Sequence, residues 1–269
     1  MGILNVTPDS FSDGGDRFDP DVAAADAVQM AADGADLLDL GGESTRPGAP
    51  AVPADEEWRR IQPVLERLRT RIAIPISVDT YKADVAARAL ATGASIVNDV
   101  SGLTYEPALA AVVARHGAAI ILMHNRGRSA SMYAEAQYGD VVEDVMKELS
   151  ERGAAARSAG IDAARIIYDP GLGFAKQKSH TLELLAGFAR LHALGRPLLS
   201  GPSRKSFLTG PLGPMPPAQR IWGTAAAITA SVLAGAHIVR VHDVREMVQV
   251  VRVAEAIREG GNAAGLSLP

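Results

Sequence analysis

Gly93-Ala94-Ser95-Ile96-Val97-Asn98-Asp99 opens on a glycine, passes through a short apolar run and ends on an amide and a carboxylate. A short apolar run bounded by turn residues reads as a strand, and glycine in front of it is where a preceding helix stops. The same step recurs at Gly34-Ala35-Asp36, His116-Gly117-Ala118 and Gly235-Ala236-His237. Working outward, strand-like runs fall at residues 3–5, 36–40, 74–79, 95–98, 118–123, 165–169, 197–199 and 237–241. Helical spacing fills 20–32, 54–71, 82–91, 106–115, 139–159, 181–194, 217–233 and 244–258. About eight alternating strand and helix units predict an α/β chain folded as a (β/α)8 TIM barrel.

The bulk numbers agree with one such unit. Barrels of this kind take about 250 residues as one domain, and no linker, charge block or low-complexity tract divides the 269 residues, so 1–269 is expected to be a single domain. Apolar residues make up 47% and charged residues 22%, enough for a sizeable core and unlike a disordered chain. A net charge of −4 without a basic run leaves no electrostatic footprint for nucleic acid. There are no cysteines, which excludes disulfides, thiolate metal sites and a cysteine nucleophile and suits the cytosol. No secretory signal or membrane-length apolar span is expected, because the chain meets polar residues at once. The first strand reads as short: the start lies upstream of Met1, or the barrel tolerates a clipped strand.

Barrel strands are parallel, so the residues that end them converge on one rim. Here those are Asn5, Gly41-Gly42-Glu43, Asp79, Asn98-Asp99, Met123-His124, Asp169, Ser200-Gly201, and Arg240 with His242. Each has a plain alternative as a turn or capping residue, but Asp79, Asn98, Asp169 and Arg240 all sit at or beside a strand end. Carboxylates and an amide suit the donor edge of a nitrogen heterocycle, and a planar guanidinium can stack on such a ring. The alternative for Arg240 is a structural pair with an aspartate across the rim. Gly201-Pro202-Ser203-Arg204-Lys205-Ser206 puts Arg204, Lys205 and backbone N–H groups where a helix is expected to begin, an anion-binding arrangement; an ordinary basic turn is the alternative. The loops at 7–18 and 41–53 are long and rich in Gly, Pro, Ser and Asp, as lids or binding loops are. Phe11, Asp13, Thr45 and Arg46 would close over a guest there. His116 and His192 read as structural or solvated, and His124 as a rim residue for which an indirect role is the alternative to a direct one. The stretch 221–233 is nearly free of charge, so it is packed core or a subunit interface.

At these positions the chain resembles the dihydropteroate synthase family. Gly2-Ile3-Leu4-Asn5-Val6-Thr7-Pro8-Asp9-Ser10-Phe11-Ser12-Asp13-Gly14-Gly15 is similar to the family's opening signature, and Asp39-Leu40-Gly41-Gly42-Glu43-Ser44-Thr45-Arg46-Pro47-Gly48 to its second. Further matches are Ser77-Val78-Asp79-Thr80, Asn98-Asp99-Val100-Ser101-Gly102, Leu122-Met123-His124, Asp169-Pro170-Gly171-Leu172-Gly173-Phe174, the Gly201 to Ser206 block and Arg240-Val241-His242-Asp243-Val244. The resemblance implies condensation of a pterin diphosphate with p-aminobenzoate, in a cytoplasmic homodimer that needs magnesium, and competition by sulfonamides that mimic p-aminobenzoate. It implies that Asp79, Asn98, Asp169 and Lys205 hydrogen-bond the pterin, that Arg240 stacks on it and that Met123 lines its pocket. Asn5, Arg240 and His242 would hold the diphosphate, Asn5 also the magnesium ion. Thr45, Arg46, Pro47, Phe11 and Asp13 would order around the leaving group and p-aminobenzoate, and Phe174, Gly201, Arg204, Lys205 and Ser206 would shape the acceptor site. Asp79, Asp169, Lys205, Arg240, Arg46 and Asp13 are thus the expected catalytic set. Ala175 stands where a glycine is common, Pro202 stiffens its turn, and Asn125 follows His124 where methionine is common. One rival is a pterin-binding methyltransferase domain, which would need neither the Thr45-Arg46-Pro47 loop nor the 203–206 anion site. The other is a barrel that has lost catalysis and survives as a binding protein.

Overall fold

The computed structural model describes residues 1–7, 19–44, 48–128 and 132–260. Eight parallel strands alternate with helices: β1 (Gly2–Asn5), α1 (Pro20–Ala32), β2 (Leu38–Gly41), α2 (Ala54–Leu68), β3 (Ile76–Asp79), α3 (Ala83–Thr92), β4 (Ile96–Asp99), α4 (Ala108–His116), β5 (Ala119–Met123), α5 (Val141–Ser158), β6 (Ile166–Asp169), α6 (Lys178–Ala186), β7 (Leu199–Ser200), the one-turn α7 (Thr209–Leu212), α8 (Ile221–Leu233), β8 (Ile238–Val239) and α9 (Val244–Arg258). Strands β1 to β6 pair in chain order and β7 pairs with β8. Two further contacts close the ring: Tyr168 beside Leu198 joins β6 to β7, and Gly2 beside Val241 joins β8 to β1. This is the expected (β/α)8 barrel.

The first strand, which read as short, holds its place in the ladder. β1 spans four residues, as β2, β3 and β4 do, and pairs with β2 over its whole length, bringing Asn5 level with Gly41. The ladder continues on its other side, where Ile3 N–H donates to Val241 O at 2.9 Å.

Side chains alternate across a strand, and the alternation sorts this chain into two cores. Leu4, Leu38, Leu40, Val78, Val97, Ile120, Leu122, Ile166 and Tyr168 point outward into the layer shared with the helices. Met1, Leu37, Ile121 and Leu199, with Ile96, Ile167 and Ile238, form a separate apolar plug. Two positions further along the same strands stand Asp39, Asn98, Met123, Asp169, Gly201 and Arg240. A polar layer therefore rests directly on an apolar floor.

Three expected elements differ. The helix expected over 181–194 ends at Ala186, and a 3-10 segment, Phe188–Leu194, follows. Gly187 stands at the break, packed so closely on α5 that a Cβ there would lie 2.7 Å from Val142 Cγ2. The helix expected from 217 starts as a 3-10 turn, Pro217–Arg220, before α8. The helix expected to begin at Ser206 is a 3-10 turn, Ser206–Leu208, leading into α7.

Helix α5 lies so close to β6 that only glycine fits at its contact: a Cβ on Gly153 would come within 1.8 Å of Tyr168 Oη. Gly153→Ala should therefore lower stability by about 1–3 kcal/mol, although alanine favours helix by about 1 kcal/mol. Adding Tyr168→Phe should recover part of the loss. Thermal melts of the single and double variants check both signs, and a Gly153→Ala protein more stable than the parent would contradict this packing.

Candidate functional site

The polar layer closes over the plug as one connected cluster. Arg240, at the end of β8, donates from Nε to Asp39 Oδ2 at 2.7 Å and from Nη2 to Asp79 Oδ2 at 2.9 Å. Asn98 Nδ2 donates to the same Asp39 oxygen at 2.9 Å. Because a carboxylate only accepts, that bond fixes the amide orientation of Asn98. Asn5 and Asp79 flank Gly41: a Cβ built there would lie 3.5 Å from Asn5 Oδ1 and 3.7 Å from Asp79 Oδ2. Likewise a Cβ on Gly201 would stand 3.8 Å from Arg240 Cβ and 4.0 Å from Lys205 Nζ. On the far side, β5 and β6 set Met123 level with Asp169. Lys205 Nζ donates to Leu172 O at 2.5 Å and lies 4.4 Å from the centre of the Phe174 ring.

The apolar floor sets the charges. Burial and the neighbouring charge of Asp39 push the Asp79 carboxyl up to about 8, against the pull of Arg240. Burial raises Asp169 as well, opposed by Lys205 and by the N–H of Gly171, which donates to Asp169 Oδ1 at 2.7 Å. Burial brings the Lys205 ammonium down to about 8, and Asp169 holds it from falling further. Perturbed acids and bases in one cluster mark a functional site.

Asn5, Asp79, Asn98, Met123, Asp169, Phe174, Gly201, Lys205 and Arg240 thus meet around the C-terminal mouth of the barrel, as their strand ends predict. Phe11, Asp13, Thr45, Arg46 and Pro47 lie outside the described residues. Three residues of the set are placed differently from the open anion site that was expected. Arg204 takes a left-handed backbone, φ 59°, and turns its guanidinium to Asp243 in front of α9, with Nε 3.0 Å from Oδ2. Its charge is therefore engaged by a carboxylate of the chain itself. Ser206 is exposed and heads a three-residue 3-10 turn instead of a full helix, whose dipole would have been larger. His242 packs its Nδ1 3.0 Å from Ser203 Oγ. A cavity of about 340 Å³ opens beside this segment, lined by Tyr133, Gly173, Lys176, Lys178, Ser206 and Phe207.

Arg240 occupies the position of the cross-rim pair that stood as its alternative reading. Its partner Asp39 was missed, because it sits inside the apolar run Leu37-Leu38-Asp39-Leu40 and not at its end. Parity was the available signal: Asp39 is two residues before Gly41, hence on the inner face. Also missed was a buried network behind the mouth. His124 is fully buried, with Nδ1 2.9 Å from Lys176 Nζ and Nε2 3.1 Å from Glu148 Oε2. Burial and the adjacent Lys176 push His124 down to about 3, so the ring is neutral. Arg152 donates to Met123 O at 2.6 Å and to Asn125 O at 2.5 Å. No pattern marks these groups in the chain, since Glu148 and Arg152 lie on α5 with ordinary helical spacing. His116 and His192 are exposed and bond nearby carbonyls, Val112 O and Ala234 O. Asp99 caps its own turn, accepting from Ser101 N–H at 2.8 Å and Leu103 N–H at 2.6 Å.

Fold and site together define a barrel enzyme built to take a nitrogen heterocycle at its mouth. The family model for pterin binding enzymes matches residues 1–242, and the chain belongs to that family. It is 47% identical to a dihydropteroate synthase of Synechocystis over 257 residues, 96% of this chain and 89% of that protein. Among solved structures, the Xanthomonas albilineans dihydropteroate synthase with 4-aminobenzoic acid is 44% identical, with a TM-score of 0.90 and coverage of 100% and 93% of the two chains. The Yersinia pestis dihydropteroate synthase in a sulfonamide drug complex is 42% identical, with a TM-score of 0.91 over 96% and 94%.

The Asp79 shift has a measurable consequence. The folded chain keeps a proton that the unfolded chain releases near its ordinary value of 3.8, so this group stabilises fully at lower pH and its contribution is lost as the pH rises to about 8. Asp79→Asn should flatten the fall in melting temperature across that window. Melting curves collected at steps between about pH 5 and 8 test it, and an undiminished slope would mean that Asp79 is ionised in the folded chain.

Proposed function

We propose that this chain is a dihydropteroate synthase: it condenses 6-hydroxymethyl-7,8-dihydropterin diphosphate with p-aminobenzoate to give 7,8-dihydropteroate and diphosphate, and sulfonamides compete for the acceptor site. The observation that carries the reading is the meeting of Asp79, Asn98, Asp169, Lys205 and Arg240 over one apolar floor.

The chemistry follows from charge separation. Ionising the bond between the pterin methylene and the diphosphate creates a cation on the ring and an anion on the departing group, and prearranged charges stabilise both. Asp79 and Asp169 face the donor edge of the pterin, and in their ionised forms they favour the cation. Asn98, its amide nitrogen committed to Asp39, offers Oδ1 to a ring N–H. Lys205, held by Leu172 O, donates to a ring acceptor, and Met123 packs against the ring. Arg240 presents its guanidinium plane to the ring from its two aspartate partners, and with Asn5, Arg46 and His242 it receives the diphosphate. The arylamine nitrogen is a free nucleophile at neutral pH and attacks the methylene, releasing its proton to solvent. Ser206 borders the 340 Å³ cavity, and Phe174, its ring beside Lys205, would flank the benzoate; Phe11, Asp13, Thr45, Arg46 and Pro47 would close over it. Arg204 is assigned to hold this segment through Asp243.

Magnesium fits the donor set. Among the described residues no group of three acidic or histidine side chains could hold a metal, and magnesium needs none where it binds through one or two protein oxygens and substrate phosphates. Asn5 Oδ1, beside Asp79, would supply such an oxygen. The ion would neutralise charge on the leaving diphosphate.

We read 1–269 as one domain, working in the cytoplasm; no helix among the described residues is long and apolar enough to cross a membrane. A homodimer would use α8 and α9, which pack on each other and expose Trp222, Leu233, Val253 and Ile257.

Purified protein given both substrates and magnesium should form 7,8-dihydropteroate and diphosphate, with EDTA stopping turnover and added magnesium restoring it. Methyl transfer from methyltetrahydrofolate would instead support the methyltransferase rival, and absence of any turnover the binding protein. Lys205→Ala and Asp169→Ala should each lower kcat/KM by roughly 10²–10³ with unchanged circular dichroism. Full activity in either variant would contradict its assignment.

A further inference from the structure

The loop that follows β6 has an uncommon backbone. Gly171, Gly173 and Ala175 all have positive φ, 67°, 81° and 46°, so alternate residues are left-handed. Such a path cannot join a ladder, and its carbonyl groups need donors from elsewhere. Phe174 N–H donates to Gly171 O at 3.0 Å within the loop, and side chains reach four of its carbonyls. Lys176 Nζ donates to Gly171 O at 3.1 Å and to Phe174 O at 3.0 Å. Lys205 Nζ takes Leu172 O, and Tyr138 Oη donates to Ala175 O at 2.8 Å. Gly171 cannot shift sideways, since a Cβ there would already meet His124 O at 2.0 Å.

Lys176 is 2% exposed, the largest fully buried side chain among the described residues, and nothing in the proposed reaction uses it. An ammonium has three donors and no acceptor, and Lys176 finds three acceptors: the two carbonyls and His124 Nδ1 at 2.9 Å. The neutral histidine sets its Nε2 3.1 Å from Glu148 Oε2, and Glu148 is held by Arg126 Nε at 2.9 Å. Burying a lysine costs stability unless something is gained, and burial drives its ammonium well below the ordinary range. The gain lies in what the two carbonyls flank. Gly171 N–H orients Asp169, Leu172 O holds Lys205, and Phe174 carries the ring beside Lys205.

We propose that Lys176, anchored by His124 and Glu148, is a positioning residue that sets the 171–174 loop so that Asp169, Lys205 and Phe174 face their substrates together. Its three donors are spent on the protein, so it acts through the loop that it sets. This rests on the synthase reading above and adds to it the group that holds the p-aminobenzoate side of the site in place.

Lys176→Met keeps the length of the side chain and removes all three donors. It should raise KM for p-aminobenzoate by roughly tenfold to a hundredfold, the scale of a misplaced site, with a smaller change in kcat. Gly153→Ala, which perturbs packing on the outer face of β6, serves as the control and should leave KM unchanged at a comparable loss of melting temperature. Where Lys176→Met does not fold, His124→Leu against His124→Gln decides: the leucine should raise KM, and the glutamine, which offers both an acceptor and a donor, should restore it. A folded Lys176→Met with parental KM, an equal KM rise in Gly153→Ala, or His124→Leu indistinguishable from the parent overturns the proposal. Failure of the parent itself to make dihydropteroate would instead overturn the synthase reading, so the two failures are distinguishable.

Discussion

Arg240 reaches across the barrel mouth to two aspartates that precede it by 201 and 161 residues, and the site depends on that bridge. Asp39 and Asp79 are nearly or fully buried over a plug of Met1, Leu37, Ile121 and Leu199, where two unpaired carboxylates could not both carry charge. One guanidinium shared between them meets part of that demand, and the Asp79 proton meets the rest. A buried ion pair of this kind adds little net stability, because desolvation offsets the attraction. Its value lies in holding acceptors rigidly at the mouth. The bridge exists only when β8 has closed against β1, so barrel closure and site assembly are one event.

The opposite side of the mouth is built by different means. There the strand ends at Asp169, and a loop with three left-handed residues carries Leu172 and Phe174 onward. Ala175 is the telling position. The fully buried alanine accepts a φ of 46° that costs an ordinary residue about 1–2 kcal/mol, and Tyr138 on its carbonyl helps to hold it there. The glycine-like departure noted in the sequence is thus tolerated by the surrounding hydrogen bonds. The mouth is rigid on one side through ionic bridges and on the other through side chains that collect loop carbonyls.

Much of this was legible in the chain, for identifiable reasons. Strand ends carry polar residues because the floor below them is apolar, so Asn5, Asp79, Asn98, Asp169 and Arg240 stood out at the boundaries of short hydrophobic runs. Asp39 did not, since it is flanked by Leu38 and Leu40, and only the strand alternation turns it inward. Arg204 looked like an anion ligand because it sits among other donors, yet its left-handed backbone aims it at Asp243. Lys176, His124, Glu148 and Arg152 come from β5, α5 and the β6 loop, and no spacing relates them.

The amino-acid order by itself determined the alternation of strands and helices, the number of strands, and the identity of the residues that end each strand, because periodicity and glycine stops are local properties of a chain. Tertiary structure alone decided which charges pair: Arg240 with Asp39 and Asp79, Arg204 with Asp243, Lys176 with two loop carbonyls and an imidazole. Pairing depends on distances between segments far apart in sequence and on how deeply each is buried. Those quantities come into being only when the ring of strands closes.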